Sequence, residues 1–202
     1  VILRDASRLA GTAREAEIAL SRAKVKVDGK VRREGKFPTG LMDVVEIPDA
    51  GLTFRILPTR GKELGLVRIP KDEARFKLCK IEGKTTLKGG LVQLNLHDGR
   101  NIVINVSDPK KTVEDHFKVN DTLRISIPSQ RVLGHIKFTE GAYALLISGK
   151  NLGKHGRIVK IEKGTFARKP MVSIQDKDGE ILQTVAENVF VIGESEPLIR
   201  LE

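Results

Sequence analysis

The chain has no tryptophan, one tyrosine and seven phenylalanines in 202 residues. Proteins that grip single-stranded nucleic acid by stacking need exposed aromatic rings, and this chain has few to spare. If it binds nucleic acid, it should read phosphates and shape, as folded RNA presents them. A single cysteine, Cys79, excludes an internal disulfide, which fits a reducing compartment. No stretch approaches the ~18 consecutive apolar residues of a membrane span. Arg4, Asp5 and Arg8 interrupt the opening segment, so no secretory signal is expected there. The four histidines, His97, His116, His135 and His155, are far apart, and no Cys/His spacing matches a zinc site. Carboxylates are plentiful, but none stands out as a catalytic pair. Asp98 and Asp178 precede glycines, and turn chemistry suffices to explain them. We expect no catalytic residue, no cofactor and no metal.

What is abundant is positive charge. Lys plus Arg number 36 against 26 Asp plus Glu, a net +10. The excess is clustered. Residues 1–40 hold ten basic and five acidic residues, whereas residues 138–202 hold nine of each. Within that neutral part, positions 150–169 hold seven basic residues and one acid, Glu162. Clustering of this kind is what a polyanion footprint requires. Charge by itself does not choose between such a footprint and a solvated basic surface.

Helical signals are confined to the N-terminus. Ile2, Ala6 and Leu9 repeat at helical spacing before Gly11. Thr12-Ala-Arg-Glu15 is a capping box, in which each side chain satisfies a free backbone N–H. The helix it opens puts Ala13, Ala16, Ala19, Leu20 and Ala23 on one face, with Arg14 and Arg22 on another. Ile18 falls off the apolar stripe and is expected to pack on a second face. Beyond Ala23 the period changes to two. Asp28-Gly29, Asp98-Gly99 and Asp178-Gly179 mark hairpins. Strands are expected at 44–47, 64–69, 91–96, 123–127, 142–147, 158–161, 172–174 and 190–192. Many short strands without βαβ alternation predict small barrels or sandwiches rather than a doubly wound nucleotide-binding sheet. The turn at 48–51 with Pro58 suggests one boundary, and 136–141 another. Cys79 lies in the alternating run of Phe76-Lys-Leu-Cys-Lys80 and is expected to be a small buried side chain.

Two constellations point to phosphates. The first is a helix, a tight turn and a basic hairpin carrying Arg14, Arg22, Lys24, Lys26, Lys30, Arg32 and Arg33. On a hairpin, Lys24, Lys26, Lys30 and Arg32 could project to one side, with Val25, Val27 and Val31 inward, as a rigid row of cations. The second is Gly149-Lys-Asn-Leu-Gly153-Lys-His-Gly156-Arg-Ile158, with Lys150, Lys154, His155 and Arg157 as its candidate contacts. A nucleotide-binding P-loop is excluded. It needs four residues between its glycines and Ser or Thr after the lysine, and here there are three and a histidine.

These segments also carry resemblances. Leu9-Ala10, Thr12-Ala-Arg-Glu-Ala16 and Ala23-Lys-Val-Lys-Val-Asp-Gly-Lys-Val31 resemble the RNA-binding fold named after bacterial ribosomal protein S-four. That fold also occurs in pseudouridine synthases, tyrosyl-tRNA synthetases and ribosome-rescue heat-shock proteins. The glycine loop with Ile158 and Ile161 resembles the KOW motif, a small SH3-like barrel of ribosomal proteins and transcription elongation factors. Their order, together with Phe37-Pro-Thr-Gly-Leu-Met-Asp-Val44, Lys77-Leu-Cys-Lys80, Gln93-Leu-Asn-Leu-His-Asp-Gly-Arg-Asn101 and Val189-Phe-Val-Ile-Gly193, is similar to the archaeal and eukaryotic small-subunit ribosomal protein S-four-e family. Members of that family begin with a further basic leader, which this chain is expected to lack.

The resemblance implies a mostly β protein with a small N-terminal α+β domain, in three small domains. The expected divisions are a helix-helix-hairpin RNA-binding domain at 1–47, a central β domain at 48–137, a KOW SH3-like barrel at 138–193 and an acidic tail at 194–202. It implies a structural constituent of the small ribosomal subunit in the cytoplasm, supporting translation, with no enzymatic activity. The implied partners are small-subunit ribosomal RNA and neighbouring ribosomal proteins, with no membrane and no small-molecule substrate. The alternatives are an RNA-modifying enzyme or a transcription elongation factor sharing the same modules.

Overall fold

The computed structural model describes residues 12–21, 25–59, 62–105, 116–166 and 168–201. The predicted helix around Ile2, Ala6 and Leu9 lies outside them. The chain is mostly β. One helix, α1 (Ala13–Ser21), opens on the expected capping box. The Glu15 N–H donates to the Thr12 hydroxyl at 3.2 Å, and the Thr12 N–H donates to the Glu15 carboxylate at 3.3 Å. Ile18 does not pack on a second face; it is exposed.

Among the described residues, fifteen strands follow in three antiparallel five-stranded sheets. β1 (Lys26–Val27), β2 (Lys30–Val31), β3 (Val44–Ile47), β4 (Leu52–Thr59) and β5 (Lys62–Arg68) form the first, in the order β2-β1-β3-β4-β5. β6 (Phe76–Thr86), β7 (Leu91–Leu96), β8 (Asn101–Asn105), β9 (Thr122–Ser126) and β10 (Val132–Ile136) form the second, in the order β10-β9-β6-β7-β8. β11 (Tyr143–Leu146), β12 (His155–Glu162), β13 (Met171–Asp176), β14 (Ile181–Val185) and β15 (Val189–Gly193) form the third, in the order β14-β13-β12-β11-β15. Each predicted Asp-Gly dipeptide joins two paired strands, β1–β2, β7–β8 and β13–β14. The first sheet takes strands from both sides of residue 47, where β3 and β4 pair over four positions.

Pro58 ends no element. It sits inside β4, where the register against β5 shifts between Leu57 and Thr59. A bulge is where a strand tolerates a residue with no N–H to donate. Gly156 meets a different constraint. A Cβ there would lie 1.9 Å from the Gln175 carbonyl oxygen of β13, so only glycine permits the two strands to approach as they do. The segment read as an acidic tail folds back. Ile199 is buried in the core of the third sheet, and the Arg200 N–H reaches the Glu73 carboxylate at 3.2 Å.

β6 is the strand on which the sheets meet. Residues 77–81 are buried without interruption. Cys79 and Ile81 join the core of the second sheet with Val92, Leu94, Leu123 and Ile125. Leu78 joins Met42, Leu57, Val67 and Ile136 in the core built around the third sheet. Lys80 points the same way as Leu78 and donates to the carbonyls of Ala186 (3.3 Å), Glu187 (2.7 Å) and Val189 (2.8 Å). All three carbonyls lie at the turn entering β15, where Ala186 also accepts the Val189 N–H. A second buried cation, Arg55 of β4, donates to the carbonyls of Glu73 (2.9 Å) and Phe76 (3.1 Å).

Burial pushes the Lys80 ammonium down to about 8, against the opposing pull of Glu82 and Glu187. Between that value and the ordinary lysine range the unfolded chain binds more protons than the folded one, so stability rises with pH. From pH 8 to pH 10 the wild type should therefore gain on the order of 1–3 kcal/mol relative to Lys80→Met. Urea titrations of both proteins at several pH values read this difference, and parallel stability curves would refute it.

Candidate nucleic-acid interface

The hairpin at β1–β2 does not present a single row of cations. Asp28 and Gly29 both have positive φ, at 50° and 72°, as a two-residue hairpin turn with the right twist requires. A two-residue turn makes Val27 the partner of Lys30 and Lys26 the partner of Val31. Partners across a strand pair share a face. Lys30 and Arg32 therefore lie on the face of Val27 and Val25, while Lys26 lies with Val31. Val25 and Val27 are buried, but Val31 is 45% exposed. Lys26 is half-buried and registers against Glu46 on β3. Arg32 is half-buried, its guanidinium stacked over the Phe37 ring at 3.9 Å. Lys30 and Arg33 are exposed, as is Arg14 on α1. Arg22 and Lys24 lie outside the described residues.

The glycine loop divides similarly. Lys150 and Arg157 are exposed. Lys154 is paired with Glu180 of the β13–β14 turn at 2.9 Å. His155 is buried because it begins β12 opposite Leu145 of β11, and its Nδ1 meets the Tyr143 hydroxyl at 2.8 Å. Of the nine predicted contacts among the described residues, Arg14, Lys30, Arg33, Lys150 and Arg157 have the exposure that a phosphate contact needs.

Beneath the hairpin lies a cluster that the sequence did not reveal. Lys77 of β6 is fully buried and surrounded by three carboxylates. Its ammonium donates to Asp28 at 3.2 Å, to Asp43, and to Asp98 at 2.9 Å. Arg100 closes the ring by pairing with Asp28 and, at 3.3 Å, with Asp98. Each carboxylate is also held by backbone. Asp28 accepts the Val44 N–H, Asp43 the Gly40 N–H and Asp98 the Arg100 N–H. Asp98 is therefore more than a turn residue. Burial disfavours the Lys77 charge, but the three carboxylates outweigh it and hold the ammonium above its ordinary value. Burial likewise pushes Asp98 up, but Lys77 and Arg100 hold it below the usual carboxylate range. A cleft of about 480 Å³ opens over the cluster, lined also by Arg32 and Phe37.

Cys79, His97 and Asp98 bring ligand-type atoms within 4.8 Å of one another. Their chemistry is already used. His97 Nδ1 accepts the Lys80 N–H at 3.2 Å, which leaves the Nε2 hydrogen for the Leu41 carbonyl, also at 3.2 Å. Burial lowers the His97 pKa and keeps the ring neutral in this role. Burial also pushes the Cys79 thiol far above its ordinary value, with the Asp98 carboxylate 3.7 Å away. A histidine with both nitrogens engaged and a thiol held protonated make a packing cluster.

The segments that converge on Lys77 are those quoted above for the family resemblance, and comparison with known proteins bears on the same point. A family model described as Ribosomal family S4e matches residues 50–132. Small ribosomal subunit protein eS4 of Staphylothermus marinus is 51% identical over 201 residues, covering the whole of this chain and 80% of the relative. This chain belongs to the ribosomal S4e family. The eS4 protein of Methanocaldococcus jannaschii is 48% identical over 202 residues, covering the whole chain and 81% of the relative. The crystal structure of the 30S ribosomal protein S4e from Thermoplasma acidophilum superimposes with a TM-score of 0.79 at 33% identity. It covers 96% of this chain and 93% of that one. The S4e likeness therefore extends through all three sheets.

Removing one member of a buried ion cluster leaves the others unpaired, which costs about 3–5 kcal/mol. Lys77→Met should destabilise the fold by that amount near neutral pH. Part of the wild-type advantage is the lowered Asp98 pKa, which stabilises above the unfolded carboxylate value and is lost as pH falls through the folded one. The gap between the two proteins should therefore narrow below about pH 4. A constant gap across a pH series of denaturation curves would count against the cluster.

Proposed function

We propose that this chain is a structural constituent of the small ribosomal subunit that binds folded ribosomal RNA through cations on preformed β surfaces. The observation that carries the reading is similarity along the whole of this chain to proteins named small ribosomal subunit protein eS4. The exposed cations Arg14, Lys30, Arg33, Lys150 and Arg157 supply the chemistry, a set of fixed charges for phosphates. RNA binding releases counterions and fixes local RNA geometry, and it needs no bond-making step. The chain is accordingly not an enzyme. Its partners are small-subunit ribosomal RNA and neighbouring ribosomal proteins, and its location is the ribosome in the cytoplasm. We divide it into an N-terminal RNA-binding unit ending near residue 47, whose β3 pairs with β4 of the next unit, a central β unit to 137 and a KOW barrel of the SH3-like type from 138 to 193. The order β14-β13-β12-β11-β15 and the close approach at Gly156 support the last of these.

The test is affinity for small-subunit ribosomal RNA at two salt concentrations, with an unrelated duplex of equal length as the reference. Wild type should bind the ribosomal RNA preferentially, with log affinity falling by roughly 0.7–0.9 per phosphate contact for each unit of log salt. Changing Arg14, Lys30, Arg33, Lys150 and Arg157 together to Gln should leave thermal unfolding unaltered. It should weaken binding at least about tenfold and flatten the salt slope. Unchanged affinity and slope would remove these residues from the interface.

A further inference from the structure

The β12–β13 connection carries a side chain that neither the fold nor the phosphate contacts explain. Of the seven phenylalanines, Phe190 is buried and Phe37, Phe54, Phe76, Phe117 and Phe138 are half-buried. Phe166 is fully exposed, at 112% of the reference value, while the next most exposed large apolar side chain among the described residues, Ile181, reaches 61%. Its solvated ring contributes nothing to the core.

The residue sits on a closed backbone turn. The Thr165 N–H donates to the Arg168 carbonyl at 2.9 Å, and the Arg168 N–H donates back to the Thr165 carbonyl at 3.2 Å. A Cβ on Gly164 would lie 2.9 Å from the Arg168 carbonyl oxygen and from Pro170, so the chain doubles back tightly there. Exposed cations flank the ring on both sides, Lys163 before it and Arg168 and Lys169 after it. Glu162 pairs with Lys160 and Glu187 with Lys169, each at 2.8 Å, which leaves Lys163 and Arg168 as the cations beside the ring.

An exposed aromatic ring on a closed turn between two cations, Lys163 and Arg168, suits one ligand chemistry, an unpaired nucleotide. The base stacks on the ring and the adjacent phosphates meet the cations. An apolar protein pocket would gain nothing from cations around its anchor, and a single ring is too small a patch to hold a membrane surface. We propose that Phe166 stacks on an unpaired base of the bound RNA, with Lys163 and Arg168 on the phosphates beside it. This rests on the RNA-binding reading above and names the element of RNA that the third sheet recognises.

Because the chain has no tryptophan, Phe166→Trp installs a single fluorescent reporter at the tip. Wild type, Phe166→Ala, Phe166→Leu and Phe166→Trp would be titrated with small-subunit ribosomal RNA and with a fully paired duplex of equal length. Stacking predicts that Phe166→Ala and Phe166→Leu bind the ribosomal RNA roughly 5- to 100-fold more weakly. Their salt slope should match wild type, because no phosphate contact is lost. Phe166→Trp should keep the affinity and lose emission on binding, and duplex affinity should be the same for all four. If wild type binds the ribosomal RNA tightly while Phe166→Ala binds equally well and Phe166→Trp is not quenched, stacking is wrong and the RNA-binding reading stands. If Phe166→Leu binds as well as wild type, the contact is apolar and not a stacked base. If wild type shows no preference for the ribosomal RNA, both readings fall.

Discussion

The fold depends on a lysine with no access to water. Lys77 sits on a strand buried on both faces, and an unpaired ammonium there would cost several kcal/mol. The charge is tolerated because carboxylates arrive from three separate places. Asp28 comes from the first hairpin turn, Asp43 from the loop entering β3 and Asp98 from the β7–β8 turn. Arg100 balances part of the excess negative charge that they bring. None of these segments can shift without exposing a neighbour's charge to a low-dielectric interior, so the cluster sets how the first and second sheets meet.

The same strand sets how the second and third sheets meet, by alternation. Lys77, Cys79 and Ile81 face one way; Leu78 and Lys80 face the other. Lys80 spends its three donors on carbonyls at the turn entering β15, which ties the two sheets with directional bonds rather than apolar contact alone. A scaffold locked at both faces of one strand suits a protein whose work is positioning. Cations on rigid surfaces lose little conformational entropy when they meet phosphates. The exposed set lies on α1, the first hairpin, the glycine loop and β12, and the locked sheets hold those elements in a fixed relation.

Much of this was legible locally. The capping box at Thr12 and Glu15 formed as written, and all three Asp-Gly dipeptides became hairpin turns, because both signals act over four residues or fewer. The strand at 91–96 matches β7 residue for residue, since one face packs and the other is wetter. The row of cations on the first hairpin could have been corrected from sequence alone. A two-residue turn pairs Val27 with Lys30, so apolar and basic positions change faces across it. β4 was missed because Pro58 reads as a breaker, whereas a bulge accommodates it.

The sequence by itself determined the class of this protein: short antiparallel strands, one capped helix, a clustered positive charge and a family likeness along the whole chain. Each follows from residues close together or from composition. Only the tertiary structure decided which charges are free. Lys77 and Lys80 look like the solvent-facing positions of an alternating strand, yet both are buried. The partners of Lys77 lie 49, 34 and 21 positions away, and those of Lys80 more than 100. His155 and Lys154 likewise look available in a basic loop, until β11 and Glu180 are brought against them. Phe166 is the converse case, an apolar residue left in water because its turn closes beyond the edge of the core. Burial is a property of what folds against a residue, and spacing along the chain does not carry that information.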